Sequence, residues 1–237
     1  MILLILFCIG AAFVQRVSGF GFGIFIMTIL PYLMPSYGEA TALSGLLAAV
    51  TSILIVWKMH SHISWRRLWP ILFTFIIVSY VSVKFVSSAG DIVLKRMLGV
   101  MLILAAVWFM FFSRHIRVRP SIPVQVAMGT LSGVMGGLFG MQGPPAVLYF
   151  LACTGTKEGY IALTQCYFLV GNLMMTVFRA GEGYLTADVG KAWCVGVPAV
   201  LLGTWLGSKV FDRIPLNVLR TIIYIYMAIS GAVAIFA

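Results

Sequence analysis

Apolar residues run along this chain in long blocks separated by short polar stretches. The blocks cover 1–35, 40–57, 68–86, 97–112, 121–153, 159–178, 192–208 and 221–237. Six of them have the length of one helical crossing of a bilayer. The other two, 1–35 and 121–153, are too long for one upright helix at about 1.5 Å per residue across a core of about 30 Å. Both are interrupted by residues that oppose a helix. The first carries Gly19-Phe20-Gly21-Phe22-Gly23 and then Pro31. The second carries Gly136-Gly137-Leu138-Phe139-Gly140-Met141-Gln142-Gly143-Pro144-Pro145. Proline lacks the backbone donor, and repeated glycine weakens helix propensity, so each block is predicted to unwind there. Unwound backbone at membrane depth survives only when buried in protein or lining a wet cavity.

The two broken blocks open two halves of a repeat. An offset of 121 sets Gly19 against Gly140, Gly38 against Gly159, Trp57 against Phe178 and Lys58 against Arg179. With small gaps, Lys84 meets Lys209, and Lys95-Arg96 meets Leu219-Arg220. The expected fold is an all-α polytopic membrane protein of two repeats, 1–113 and 121–237. Each repeat holds one broken or re-entrant segment plus three transmembrane helices.

If each broken segment crosses once, the halves are parallel. Lys58, Arg66, Arg67, Arg114, Arg117, Arg119, Arg179 and Lys191 then face Lys84, Lys95, Arg96, Lys157, Lys209, Arg213 and Arg220, eight against seven. If each dips in and returns, the halves are inverted. Lys157, Lys209, Arg213 and Arg220 then change sides, while Arg179 and Lys191 move the other way, which makes ten against five. Cytoplasmic loops are the richer in Lys and Arg, so the count favours inversion, with both termini outside and the loop 58–67 in the cytoplasm.

Charge changes this picture little. A net charge of +10 suggests a nucleic-acid binder, but apolar residues make up 62% of the chain and charged residues 9%. The mean hydropathy is +1.07. A soluble domain carries roughly a quarter of its residues charged, so this surface faces lipid and no nucleic-acid partner is expected. The opening Met1-Ile2-Leu3 lacks the basic region of a signal peptide and reads as part of the fold. Cys8, Cys153, Cys166 and Cys194 lie in apolar runs without metal spacing. HExxH, GxSxG and paired intramembrane carboxylates are all absent, so no enzyme, cofactor or metal site is expected. His60 and His62 read as surface residues beside Trp65 and Arg66.

What remains is polarity inside apolar helices. Ser44, Thr51 and Lys58 recur every seven residues on one helical face, and Gln165, Asn172 and Arg179 occupy the positions matched to them. Interhelical hydrogen bonding explains single residues of this kind; the matched set describes a pathway lined by donors. Arg16 follows fifteen uncharged residues. An ionisable residue at such depth marks a functional site by default, and its fork of donors suits an oxyanion. Free amides at the two breaks add donors for the same anion. The expected substrate ligands are Arg16, Gly19, Gly21, Gly23, Ser44, Thr51, Gly140, Gln142, Gly143, Gln165 and Asn172. Lys58 and Arg179 are expected at the two entrances.

The run Ser18-Gly19-Phe20-Gly21-Phe22-Gly23 and the fuller run Gly136–Pro145, about 120 residues apart in duplicated modules, resemble the TauE/SafE sulfite exporter family along essentially the whole chain. The chain departs from the family's usual glycine runs at Phe22, Gln142, Pro144 and Pro145. The resemblance implies a multi-pass cell-membrane transporter that moves sulfite or organosulfonates such as sulfoacetate outward. Its partners are then a small anion and the lipid bilayer, and a homodimer is compatible with it. An inside-negative potential favours exit of each negative charge by ~2.3 kcal/mol per 100 mV, so export needs no strict coupling ion. A small-anion channel, or a membrane subunit of a larger complex, stays open as an alternative.

Overall fold

The computed structural model describes residues 1–112, 120–210 and 216–236, and their regular structure is helical throughout. Arg114, Arg117, Arg119 and Arg213, which enter the charge count above, lie outside the described residues. The first half holds α1 (Ile2–Ser18), α2 (Phe22–Ile26), α3 (Leu30–Leu33), α4 (Tyr37–Met59), α5 (Trp65–Ser88) and α6 (Asp91–Val107). The second holds α7 (Ile122–Phe139), α8 (Gly143–Cys153), α9 (Lys157–Gly181), α10 (Ala187–Val210) and α11 (Leu216–Phe236). Among the described residues, five helices are long and apolar enough to cross a membrane: those at Tyr37–His62, Trp65–Ser88, Ile122–Phe139, Glu158–Gly181 and Ala187–Lys209. The architecture is that of a polytopic membrane protein. On α5 the lipid-facing stripe is Phe73, Ile77, Val81 and Phe85, all exposed and four residues apart, which puts them on one face.

Each broken block folds back on itself. Ring contact between Phe7 and Phe25 (5.7 Å between centroids) and the approach of Gly21 to Val14 run α2 antiparallel to α1. In the second half, Ser132 donates to the Gln142 carbonyl, and Gln125 Nε2 donates to Tyr149 OH at 2.5 Å. Those contacts run α8 antiparallel to α7. The helix that follows each block starts on a matched cap. Ser36 Oγ accepts from Glu39 N–H, and Thr156 Oγ1 from Gly159 N–H, both at 3.2 Å, each pairing one of the orphan donors of a helix start.

The two halves interlock rather than sit side by side. α4 pairs with α9: Arg179 Nη1 reaches the Thr41 carbonyl at 3.1 Å, and Ser52 Oγ reaches Gln165 Oε1 at 2.9 Å. Early residues of α4 thus meet late residues of α9, so the two run antiparallel. α6 and α11 do the same about Gly99 and Gly231. A Cβ on either glycine would lie under 3 Å from the other's carbonyl oxygen, 2.6 and 2.7 Å respectively. By contrast α1 runs parallel to α10, with Cys8 near Gly196 and Arg16 near Gly207. α7 runs parallel to α5, with Gly129 against Ile71 and Thr74, and Gly133 against Phe75 and Val78. Lipid tails are as apolar as the helices, so association rests on close van der Waals approach, which small residues permit.

Candidate functional site

The site grows from the two breaks. Gly19 ends α1 with φ 84°, and Gly21 precedes α2 with φ 100°. Gly140 ends α7 with φ 68°. These left-handed values suit glycine because a Cβ would be strained there. Gly19 and Gly140 are the pair matched by the repeat offset, and both serve as helix C-caps. The breaks also touch: Gly23 packs on the Gly140 carbonyl so closely that a Cβ has no room. Phe20 lies beside Gly143 and Met27 beside Gly140, with Phe168 closing the apolar wall.

Side chains of α9 bind both breaks. Gln165 Nε2 donates to the Gly19 carbonyl at 3.2 Å, pairing an orphan acceptor at the end of α1. Arg179 Nη2 donates to the carbonyls of Gly136 and Gly137 at 3.0 and 3.2 Å, in the last turn of α7. Arg179 is only 1% exposed. Steering substrate at an entrance needs an exposed charge, so the expected entrance position for Arg179 is not the one it takes. Room for its guanidinium comes from Gly45 on α4, where a Cβ would stand 3.4 Å from Nη1. Its repeat mate Lys58 is exposed at the far end of α4.

The remaining sequence candidates divide. Ser44, matched to Gln165, lies at the matched break: its Oγ is 3.5 Å from where a Cβ of Gly140 would stand. That hydroxyl is buried and has no hydrogen-bond partner among the described residues. Gln142 is buried in the second break, its Nε2 donating to the Phe168 carbonyl at 3.2 Å while its Oε1 has no partner among the described residues. Thr51 accepts from Gln15 Nε2 at 2.6 Å and donates to the Ala48 carbonyl. Asn172 is buried on the α9 face toward Gly45. Arg16 is engaged elsewhere: its Nε donates to Ser208 Oγ at 2.7 Å, and its stem packs on Gly207 of α10. The expected free amides at the second break are also fewer than a helix start normally offers. Pro144 and Pro145 occupy the first turn of α8 and carry no N–H.

Sequence reasoning missed Gln15, Ser52, Ser132 and Tyr167. Tyr167 OH donates to Ser132 Oγ at 2.7 Å, and Ser132 in turn donates to the Gln142 carbonyl, so three segments hold the second break. Gln15 stood in plain view as the polar neighbour of Arg16 within an apolar run. The single hydroxyls carried no such signal.

The family model for sulfite exporter TauE/SafE matches residues 3–234. The chain belongs to the TauE/SafE family. It is 23% identical over 199 residues to the probable sulfite/organosulfonate exporter TauE of Cupriavidus necator, covering 82% of this chain and 78% of that one. It is 24% identical over 241 residues to the probable membrane transporter protein MJ0441 of Methanocaldococcus jannaschii, covering 90% and 87%. No solved structure matches the chain. TauE/SafE proteins are thus its kin by sequence along nearly its full length, and the chain is a membrane transporter by family.

Proposed function

We propose that this TauE/SafE protein exports small sulfur oxoanions or organosulfonates across the plasma membrane by alternating access between inverted halves. The observation that carries the reading is the meeting of the two breaks, Gly23 on Gly140, with an unpartnered Ser44 hydroxyl beside them. Transporter sites of the inverted-repeat kind lie where discontinuous helices of two halves converge near the bilayer midplane. Inversion is supported by helix directions. Matched helices α4 and α9 run antiparallel, as do α6 and α11, and parallel halves would make each pair parallel. The α1–α10 pair likewise corresponds to the α7–α5 pair under exchange of the halves.

Substrate chemistry follows from charge and from kinship. Lys and Arg outnumber Asp and Glu sixteen to six, and a cation, Arg179, lies one turn from the second break. The Cupriavidus relative is named for sulfite and organosulfonates. The membrane potential drives an anion outward without a coupling ion. The test is counterflow of labelled sulfite and sulfoacetate in liposomes holding only this protein. Saturable counterflow with cross-competition supports a carrier, and conduction without saturation would replace it with a channel.

A further inference from the structure

We propose that Arg179 is the cation that answers the substrate's charge, and that it does so by exchange: empty, it ties the two halves together through carbonyls; occupied, it turns to the anion and releases them. The inference rests on the export reading above and names the gate of that same site.

Three observations carry it. The acceptors of the buried guanidinium are all neutral, namely the carbonyls of Thr41, Gly136 and Gly137. The ion pairs among the described residues are Lys84 with Glu182 and Lys191 with Asp188, so neither involves Arg179. A buried charge is costly unless paired, and three carbonyls compensate it only in part. Second, those carbonyls come from both halves. Thr41 belongs to α4, Gly136 and Gly137 to α7, and the side chain itself to α9. One residue therefore holds α4 against the last turn of α7. Third, a vacant donor stands on the residue of α4 that adjoins Gly45. Ser44 Oγ is unpartnered beside Gly140, and Nη1 of Arg179 lies 3.4 Å from where a Cβ of the adjoining Gly45 would stand.

An oxyanion seated on Ser44 at the Gly140 break thus meets the guanidinium across Gly45. Charge-assisted hydrogen bonds are roughly twice as strong as neutral ones, so the anion wins the guanidinium from the carbonyls. With the tie gone, α4 and α7 part at that end. At the opposite end the matched Lys58 is exposed on α4, and the cation that joins the halves there, Arg67 on the Cys153 carbonyl at 2.6 Å, is exposed rather than buried. A ligand moves such an equilibrium only through its different affinity for the two states, and the tie supplies that difference: a neutral analogue of the same size does not break it.

Hydrogen exchange on the full-length protein in detergent, with and without sulfite or sulfoacetate, reads the tie directly. The anion used is the one that shows counterflow in liposomes. We expect it to speed amide exchange at least tenfold in residues 38–45 and 134–141, while amides of α10 stay unchanged. In Arg179→Gln, exchange in those two segments is fast without the anion and unresponsive to it. Arg179→Lys, which keeps the charge but loses the fork, gives a partial response and serves if Arg179→Gln does not fold. A transported anion that leaves both segments of the unmutated protein unchanged overturns the exchange. So does an anion response in Arg179→Gln equal to that of the unmutated protein. Absence of counterflow for both anions would instead strike the export reading itself.

Discussion

Gly23 of the first break sits against the carbonyl of Gly140 in the second, leaving no space for a side chain between them. The two halves of the repeat therefore touch at their least regular points. Gly23→Ala forces a methyl into that contact, and overpacking of this kind typically costs about 1–3 kcal/mol. We expect a lower melting temperature in detergent and loss of counterflow. Gly90→Ala is the control, since no described residue lies within 4 Å of its Cβ position, and it melts as the unmutated protein does.

Gln165 joins three elements, accepting from Ser52 Oγ of α4 and donating from α9 to the carbonyl that ends α1. Gln165→Ala strands both partners in a buried setting, which costs about 1–3 kcal/mol for each group left unsatisfied. Thermal unfolding checks this. Gln165→Glu keeps the acceptor for Ser52, loses the donor to Gly19 and adds a negative charge near the breaks. It weakens binding of sulfoacetate more than it lowers the melting temperature.

The breaks were legible because glycine and proline report on backbone alone. The left-handed caps at Gly19 and Gly140 fall at the two positions set equal by the repeat offset. The faces Ser44–Thr51–Lys58 and Gln165–Asn172–Arg179 were legible too, since helical periodicity needs no tertiary contact. Arg179 was not. An arginine in the last turn of a helix reads as a charge reaching for water, and its burial depends on Gly45 leaving room on α4 and on the carbonyls of Thr41, Gly136 and Gly137 from two other helices. Arg16 shows the same limit in reverse: its depth in the chain suggested a ligand, and Ser208, 192 residues away, takes its Nε.

Sidedness distinguishes inverted from parallel halves. Position 63 follows the end of α4 and position 184 the end of α9, and those helices run antiparallel. Single cysteines at Ile63 and Tyr184, in a background lacking the four native ones, should react with an impermeant maleimide from opposite faces of the membrane. The charge count puts 63 in the cytoplasm. Labelling of both from one face would mean parallel halves.

Acid should loosen one end of the molecule in a predictable sense. Lys84 Nζ lies 2.5 Å from Glu182 Oε1, and that hydrogen bond, with a second from Ser87, holds the Glu182 carboxyl below its ordinary value. A carboxyl depressed in the folded state lends stability above its unfolded value and loses it as pH falls through the folded one. The melting temperature should therefore drop on acidification below about 4.5, the ordinary value. Lys84 is exposed and Glu182 partly so, so the drop is small and smaller still in high salt. Glu182→Gln should remove that part of the pH dependence; an unchanged profile would assign it to other carboxylates.

Neutralising Arg16 and Arg179 separates two places for the substrate's charge. If the anion sits where the breaks meet, the guanidinium one turn away matters and the one bound to Ser208 does not bind substrate. Arg179→Gln should then raise KM for sulfite or sulfoacetate at least tenfold, because it removes the fork that matches an oxyanion. Arg16→Ala should change KM far less, and its cost should appear as a lower melting temperature through the lost α1–α10 contact. Counterflow at varied anion concentration, with the melting temperature of each variant measured alongside, decides between them. A tenfold rise in KM for Arg16→Ala, with Arg179→Gln near the unmutated value, would move the anion from the Gly140 break to the end of α1.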